Sequence, residues 1–354
     1  MFALSSTSNT LESDSHSAIE EITSNWGIDT VRLTYDVDTS TVDTEHPIWK
    51  RKSTVGVSAH IGETTEFTAD APFGDTQARL SLSTLRRCAT WEFEAGQLAG
   101  LDRPALLPPG AFLHLVTRLI QQYEHVFRPC FVTVDEETGE MTWAPDWARQ
   151  VHIRRLDVTR DVAVPRHLEP AFKEALAELS PKYSRGVAQR YDNRDGGFTY
   201  YNPSGTQGTD RIYNKDAQMD IRGYPDFLRF RVESQMKRER LARLGMNTLD
   251  QVSGDKVWEA LESRWKALRL DKPLRNRSQV MERLAELQLE QQIDAMAYLG
   301  FRTYGAETPL TRRRTTATRN ALREVGLNPR KGLLEQPRTQ MSLPLESGLL
   351  VEEA

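Results

Sequence analysis

Between residues 29 and 37 apolar and polar side chains alternate, with Val31, Leu33, Tyr35 and Val37 on one side. A period of two makes a half-buried strand, not a helix. Short β-type runs recur at 55–61, 78–82, 90–94, 151–164, 196–201, 211–215 and 228–234. Past Gly245 the period changes. Val257, Trp258, Leu261, Trp265 and Leu268 recur at helical spacing, and Thr248–Gln251 reads as a capping box. Residues 279–299 and 310–325 read as two long helices closed by Gly300 and Gly326. This change of period divides the chain into a strand-rich part, 27–245, and a helical part, 246–331, with flexible tails at 1–26 and 332–354. A short helix is expected near 17–23.

Within the strand-rich part, Pro108-Pro-Gly110 introduces a helix carrying Phe112, Val116, Leu119, Ile120, Tyr123 and Phe127 on one stripe. Glu136-Glu-Thr-Gly139 reads as a hairpin turn, and 169–179 as a short helix. Strands joined by short turns with interspersed helices give an α+β class, with a mainly antiparallel sheet followed by a helical C-terminal domain.

Several function classes fall away. No run approaches the roughly 18 apolar residues of a membrane span. Residues 1–14 have neither the basic nor the apolar segment of a secretory signal, so a cytoplasmic location is expected. Cys88 and Cys130 lie far apart and outside any CxxC, which disfavours a zinc site or a disulfide framework. No Walker loop or GxGxxG is present.

Charged residues on strands mark the candidate chemistry. Asp157 and Glu233 sit among apolar strand residues, and each needs a partner. Two partners are open. Each carboxylate can pair along its own strand, Asp157 with Arg155 and Glu233 with Arg231, or both can hold one hard divalent cation, Mg²⁺ or Mn²⁺. Tyr213 has Lys215 two residues on, on the same side if the segment is extended. A tyrosine beside a cation can attack a phosphodiester, although Tyr191, Tyr200 and Tyr201 qualify equally on residue type.

The order of five segments resembles the rolling-circle replication initiators of the filamentous phage gene II type, which are related to plasmid initiators and to the HUH endonucleases. The segments are Asp29-Thr-Val-Arg-Leu, Trp91-Glu-Phe-Glu-Ala-Gly-Gln-Leu, Arg155-Leu-Asp-Val-Thr, Arg211-Ile-Tyr-Asn-Lys-Asp-Ala-Gln, and Arg231-Val-Glu with Arg240-Leu-Ala-Arg-Leu-Gly245. Tyr298-Leu-Gly-Phe-Arg-Thr-Tyr-Gly305 and Ala321-Leu-Arg-Glu-Val-Gly326 are similar to the family's C-terminal region. The resemblance implies a Rep-like nicking domain, with Tyr213 as nucleophile, Lys215 as its cationic neighbour, and Asp157 and Glu233 as metal ligands. It further implies a nick at a double-strand origin through a 5′-phosphotyrosine, later religation, and a host helicase and polymerase as partners in a bacterial cell, with a homodimer as an option. No His-hydrophobic-His pair exists in the chain; His152-Ile-Arg154 comes nearest.

The formal net charge of −4 hides a segregation. Residues 1–50 carry nine acids and two bases, whereas 228–245 carry six bases and two acids, and 311–331 seven bases and one acid. Arg229, Arg231, Arg312, Arg313, Arg314 and Arg319 are the expected DNA contacts. Three arginines in a helix's first turn oppose its dipole, so helix stability does not explain them, and an anionic partner does. Two rival readings remain: a non-catalytic DNA-binding regulator on the same fold, and a relaxase- or transposase-type tyrosine nickase.

Overall fold

A computed structural model describes residues 17–58, 62–178, 198–201, 208–220, 224–272, 274–275, 278–325, 327, 329–330 and 340–353. Helix α1 covers 17–24 and leads into β1 (Trp26–Asp38). Then come β2 (Arg51–Ser58), β3 (Gly62–Phe73), β4 (Thr76–Ser83), β5 (Cys88–Glu94), α2 (Ala95–Leu98), α3 (Phe112–Tyr123), β6 (Arg128–Pro129), β7 (Val132–Val134), β8 (Met141–Trp143) and α4 (Trp147–Gln150). The middle of the chain forms β9 (His152–Pro165), α5 (Glu169–Glu178), β10 (Phe198–Tyr201), β11 (Thr209–Asn214), α6 (Lys215–Met219), β12 (Phe227–Lys237) and α7 (Arg238–Arg243). The last elements are α8 (Gly254–Leu268), β13 (Leu274–Arg275), α9 (Ser278–Ala285), α10 (Leu289–Thr303), α11 (Arg312–Glu324), β14 (Gln340–Ser342) and β15 (Val351–Glu353).

The described residues form two compact units. The first comprises 1–163 and 181–267, the second 164–180 and 268–354. The first is built on a ten-stranded sheet in the order β10-β11-β12-β9-β1-β5-β4-β3-β2, with β6 beside β1. Every pairing with a described register in it is antiparallel, as expected. One face is apolar. Leu33, Leu80 and Trp91 are fully buried there, and α3 adds Val116, Leu119 and Ile120. The Trp91 indole donates to the Tyr35 hydroxyl at 3.0 Å, so burial leaves neither polar group unmet.

The second unit packs Val280, Leu284, Tyr298, Leu299, Ala321 and Leu322 into its own core. Its small sheet runs β13-β14-β15. Residues 340–353 are therefore ordered structure where a flexible tail is expected, and Met341, Leu343, Leu345 and Leu350 are buried. At the other end Ile22 is buried on α1 inside the expected N-terminal tail, whose first sixteen residues lie outside the described set.

The division at 267/268 differs from the expected boundary at 245/246, because α8 belongs to the first unit. There Trp258 meets Trp26 edge-on, with ring centroids 5.0 Å apart. The expected helix over 279–299 is two helices, broken at 286–288, where Gln288 caps α10 through a box with Gln291. Gly300 lies inside α10. Thr248 makes no cap; its hydroxyl donates to Asp250 instead.

Gly208 sits just ahead of β11 at φ +113°, and a Cβ there would lie 1.8 Å from the Gln235 carbonyl oxygen. Both the backbone conformation and the close approach require glycine. Gly208→Ala is expected to destabilise the protein by at least about 2 kcal/mol, read as a lower urea midpoint; an unchanged midpoint would refute the close approach.

Candidate functional site

Strands β11, β12, β9, β1 and β5 lie side by side and present a polar face opposite the apolar one. In register, Tyr213 stands opposite Arg231, and Arg211 opposite Glu233. On the other side of β9, Arg32 stands opposite both Arg155 and Glu92. Strand alternation thus puts Tyr213, Glu233, Arg231, Arg155, Asp157 and Asp161 on one surface.

The Tyr213 hydroxyl donates to Glu233 Oε2 at 3.0 Å. Arg211 lies 3.6 Å from the other Glu233 oxygen. Arg155 Nε donates to both Asp157 oxygens at 2.9 and 3.1 Å, its Nη2 adds a further bond, and its Nη1 reaches Glu92 at 3.4 Å. Of the two partners open from sequence, Asp157 therefore takes its own-strand arginine. Arg231 does not take Glu233. It donates to Asp161 at 2.6 and 2.9 Å and lies 3.7 Å from Asp29.

Burial sets the electrostatics. Asp157 is fully buried and Glu233 nearly so. Loss of water raises the Asp157 pKa to about 7, with the Glu233 and Asp29 charges adding and Arg155 opposing. Glu233 is raised too, by burial first and then by Asp29. Tyr213 is pushed far up by burial and by Glu233, so its resting form is the phenol. Lys215 is lowered, by burial and by the charge of Arg231.

Lys215 does not continue the strand. It opens α6, capped by the Asn214 side chain on the Ala217 amide. Its ammonium still lies 5.8 Å from the centre of the Tyr213 ring, and it bonds Gln218 at 2.9 Å. Lys215, Asp29 and Arg231 border a cavity of about 360 Å³.

Asp29, Asp161 and Arg211 also belong to this site, although the sequence singles none of them out as a site residue, and Arg155 enters from sequence only as a strand partner of Asp157. For Asp29 a signal exists. Ile28 and Val31 are both fully buried although three residues apart, so Asp29-Thr30 breaks the alternation. In the structure Ile28 faces Val158 and Val31 faces Leu156, a bulge that sets two residues of β1 against Asp157.

Two expected DNA contacts need correction. Arg229 is 3% exposed and pairs with Glu21 at 3.0 Å, and Arg231 is 1% exposed. Both are internal ties whose guanidinium groups are turned away from solvent. Arg312, Arg313, Arg314 and Arg319 are exposed on α11. Arg314 pairs with Asp294 at 2.6 Å and Arg319 donates to the Tyr298 hydroxyl at 2.8 Å. Eight residues, 304–311, join α10 to α11, more than the roughly three or four of a helix-turn-helix. Tyr191 and the side chains of Tyr200 and Tyr201 lie outside the described residues. Among the described residues, no three His, Cys, Asp or Glu side chains gather as a metal-binding set, and no helix is long and apolar enough to cross a membrane.

No protein-family model matches this chain, and no curated protein matches it. Among solved structures it is similar to that of a rolling circle replication initiator protein from Geobacillus stearothermophilus. The two are 14% identical, the match covers 69% of this chain and 85% of that one, and the TM-score is 0.37. Such a score assigns no role to any residue.

A raised carboxyl pKa has a signed consequence. A folded state that holds a proton its unfolded chain would release loses stability as pH rises from about 4 to about 7. Asp157→Asn removes that dependence. Urea unfolding at intervals across this window is expected to show a fall of up to a few kcal/mol in the wild type and a flatter profile in the variant. Parallel profiles would show that Asp157 ionises in the fold as it does in the open chain.

Proposed function

We propose that this protein is a site-specific DNA-nicking enzyme of the rolling-circle initiator type, with Tyr213 as its nucleophile. The observation that carries the reading is the Tyr213 hydroxyl bonded to buried Glu233, beside Asp157 and under the Lys215 ammonium. The ordered motifs supply the substrate class.

In this reading Tyr213 Oη attacks the scissile phosphorus. A bond from phosphorus to the tyrosine forms, and the bond to the 3′-oxygen breaks. Glu233 Oε2 accepts the phenol proton, and its raised pKa suits it to that task. The 3′-oxygen leaves as a 3′-OH for a polymerase, taking its proton from water, to which Glu233 returns the phenol proton, and the 5′-phosphate stays on Tyr213. Religation is the reverse displacement. Lys215, 5.8 Å from the centre of the Tyr213 ring, would stabilise the negative charge that builds on the phosphoryl oxygens.

A divalent Mg²⁺ or Mn²⁺ ion fits the donors in kind. Asp157 and Glu233 are buried hard-oxygen ligands whose mutual repulsion a cation relieves. They would hold it, and when bound it would polarise the scissile phosphate. Arg155 covers both Asp157 oxygens in the conformation described, so it must release them first. Tyr213 itself is 7% exposed, and substrate entry requires its cover to move. A host helicase and polymerase, and the pairing of two copies, belong to the same proposal.

With a supercoiled origin plasmid and Mn²⁺, wild type is expected to give nicked circles and a protein–DNA adduct stable to denaturant. Tyr213→Phe should give neither; equal nicking by both would reject the nucleophile. Glu233→Gln should keep DNA binding and lose at least about a hundredfold in nicking rate. Chelation with EDTA should stop nicking without releasing bound DNA, and nicking that persists in EDTA would remove the metal from the scheme. No nicking by the wild type on any tested origin would favour the non-catalytic regulator.

A further inference from the structure

A second cavity in the first unit, about 350 Å³, is lined by His152, Ile153, Arg154, Arg238, Ala242 and Asn247. It lies at the rim where β9 begins and β12 gives way to α7. Three of its six lining side chains are basic types and none is acidic.

The placement of Arg154 is specific. Arg32 faces Arg155 and Leu33 faces Ile153, so Arg154 is the extra residue of a β-bulge. Bulges re-aim a side chain away from the regular alternation. Arg155 is spent on Asp157 and Glu92, while its neighbour is turned into the cavity. Arg238 arrives from the first residue of α7, where a cation opposes the helix dipole, so helix stability does not account for it.

Both guanidinium groups are exposed, and neither forms an ion pair with a described residue. Neighbouring cations are normally separated or interleaved with acids, as Asp210 is between Arg240 and Arg264 in the same unit. Two unpaired arginines lining one hollow repel each other, and a bound oxyanion removes that repulsion. A guanidinium fork matches a tetrahedral phosphate in geometry as well as in charge.

We propose that this cavity is a phosphate-binding site, with Arg154 and Arg238 as its principal donors and His152 at its edge. Its occupant is a phosphodiester of a nucleic-acid strand or a free phosphate. The first source rests on the function proposed above; the site itself does not.

The test has two arms, neither of which reads nicking. In one, thermal melting is followed as inorganic phosphate replaces chloride at constant ionic strength. Wild type should rise by a few degrees, and Arg154→Gln/Arg238→Gln should not. In the other, a labelled single-stranded oligonucleotide is titrated at several salt concentrations. The double variant should bind about tenfold more weakly, with a log–log salt slope shallower by about 0.7, the value for one phosphate on a single strand. The Arg154→Lys/Arg238→Lys protein, which keeps the charge and loses the fork, should fall between wild type and the Gln variant in both arms. Loss in the phosphate arm alone identifies a free anion as the occupant, and loss in the oligonucleotide arm alone identifies the strand; either supports the site. Unchanged behaviour in both arms overturns it. If the double variant does not fold, Arg238→Gln alone is read the same way.

Discussion

Arg231 is a full positive charge inside the sheet, and the polar face is organised around meeting it. Asp161 supplies two bonds, and the Pro104 carbonyl accepts a third at 2.7 Å. Asn25 then fixes Asp161 and also accepts from the Leu106 amide. One guanidinium therefore ties β9, β12, the entry to β1 and the 104–106 loop together. Removing Asp161 would strand a buried cation, at a cost of about 3–5 kcal/mol. Tyr213 stands directly opposite Arg231, so the same tie fixes where the hydroxyl falls.

Around that anchor the ionisable groups work against one another. Burial pushes Asp157, Glu233 and Tyr213 toward their neutral forms and Lys215 toward its neutral form as well. Such a cluster is quiet at rest and sensitive to any charge brought in. A phosphate, a cation or water admitted on opening would each change which group holds the proton.

Legibility in the sequence followed the range of the forces involved. Strand alternation depends on near neighbours, so β1, β5, β9, β11 and β12 were readable, and the segments bearing Tyr213, Asp157 and Glu233 with them. Lys215 was misplaced because Asn214 caps a helix one residue earlier than the strand pattern implies. Arg229 and Arg231 look like a basic surface in one dimension. Their acids, Glu21 and Asp161, lie 208 and 70 residues away and become partners only through the fold. The sheet formed by 340–353 depends on pairing with β13 far back in the chain for the same reason, whereas the break at 286–288 rests on a local capping box of two glutamines, Gln288 and Gln291. The bulges at Asp29 and Arg154 interrupt a period-two pattern, and such interruptions are where local reading is weakest.

The second unit is assembled from two stretches, 164–180 and 268–354, with nearly ninety residues of the first unit threaded between them. Helix α5 packs on β13, so the unit's own framework is closed only after the chain has returned from that excursion. During synthesis α5 emerges long before its strand exists. The two units are therefore interleaved in time as well as in sequence, and the second has to wait for a partner made last. No single cut in the gene can release it whole: a fragment beginning at 268 lacks α5, and one beginning at 164 carries about a third of its neighbour.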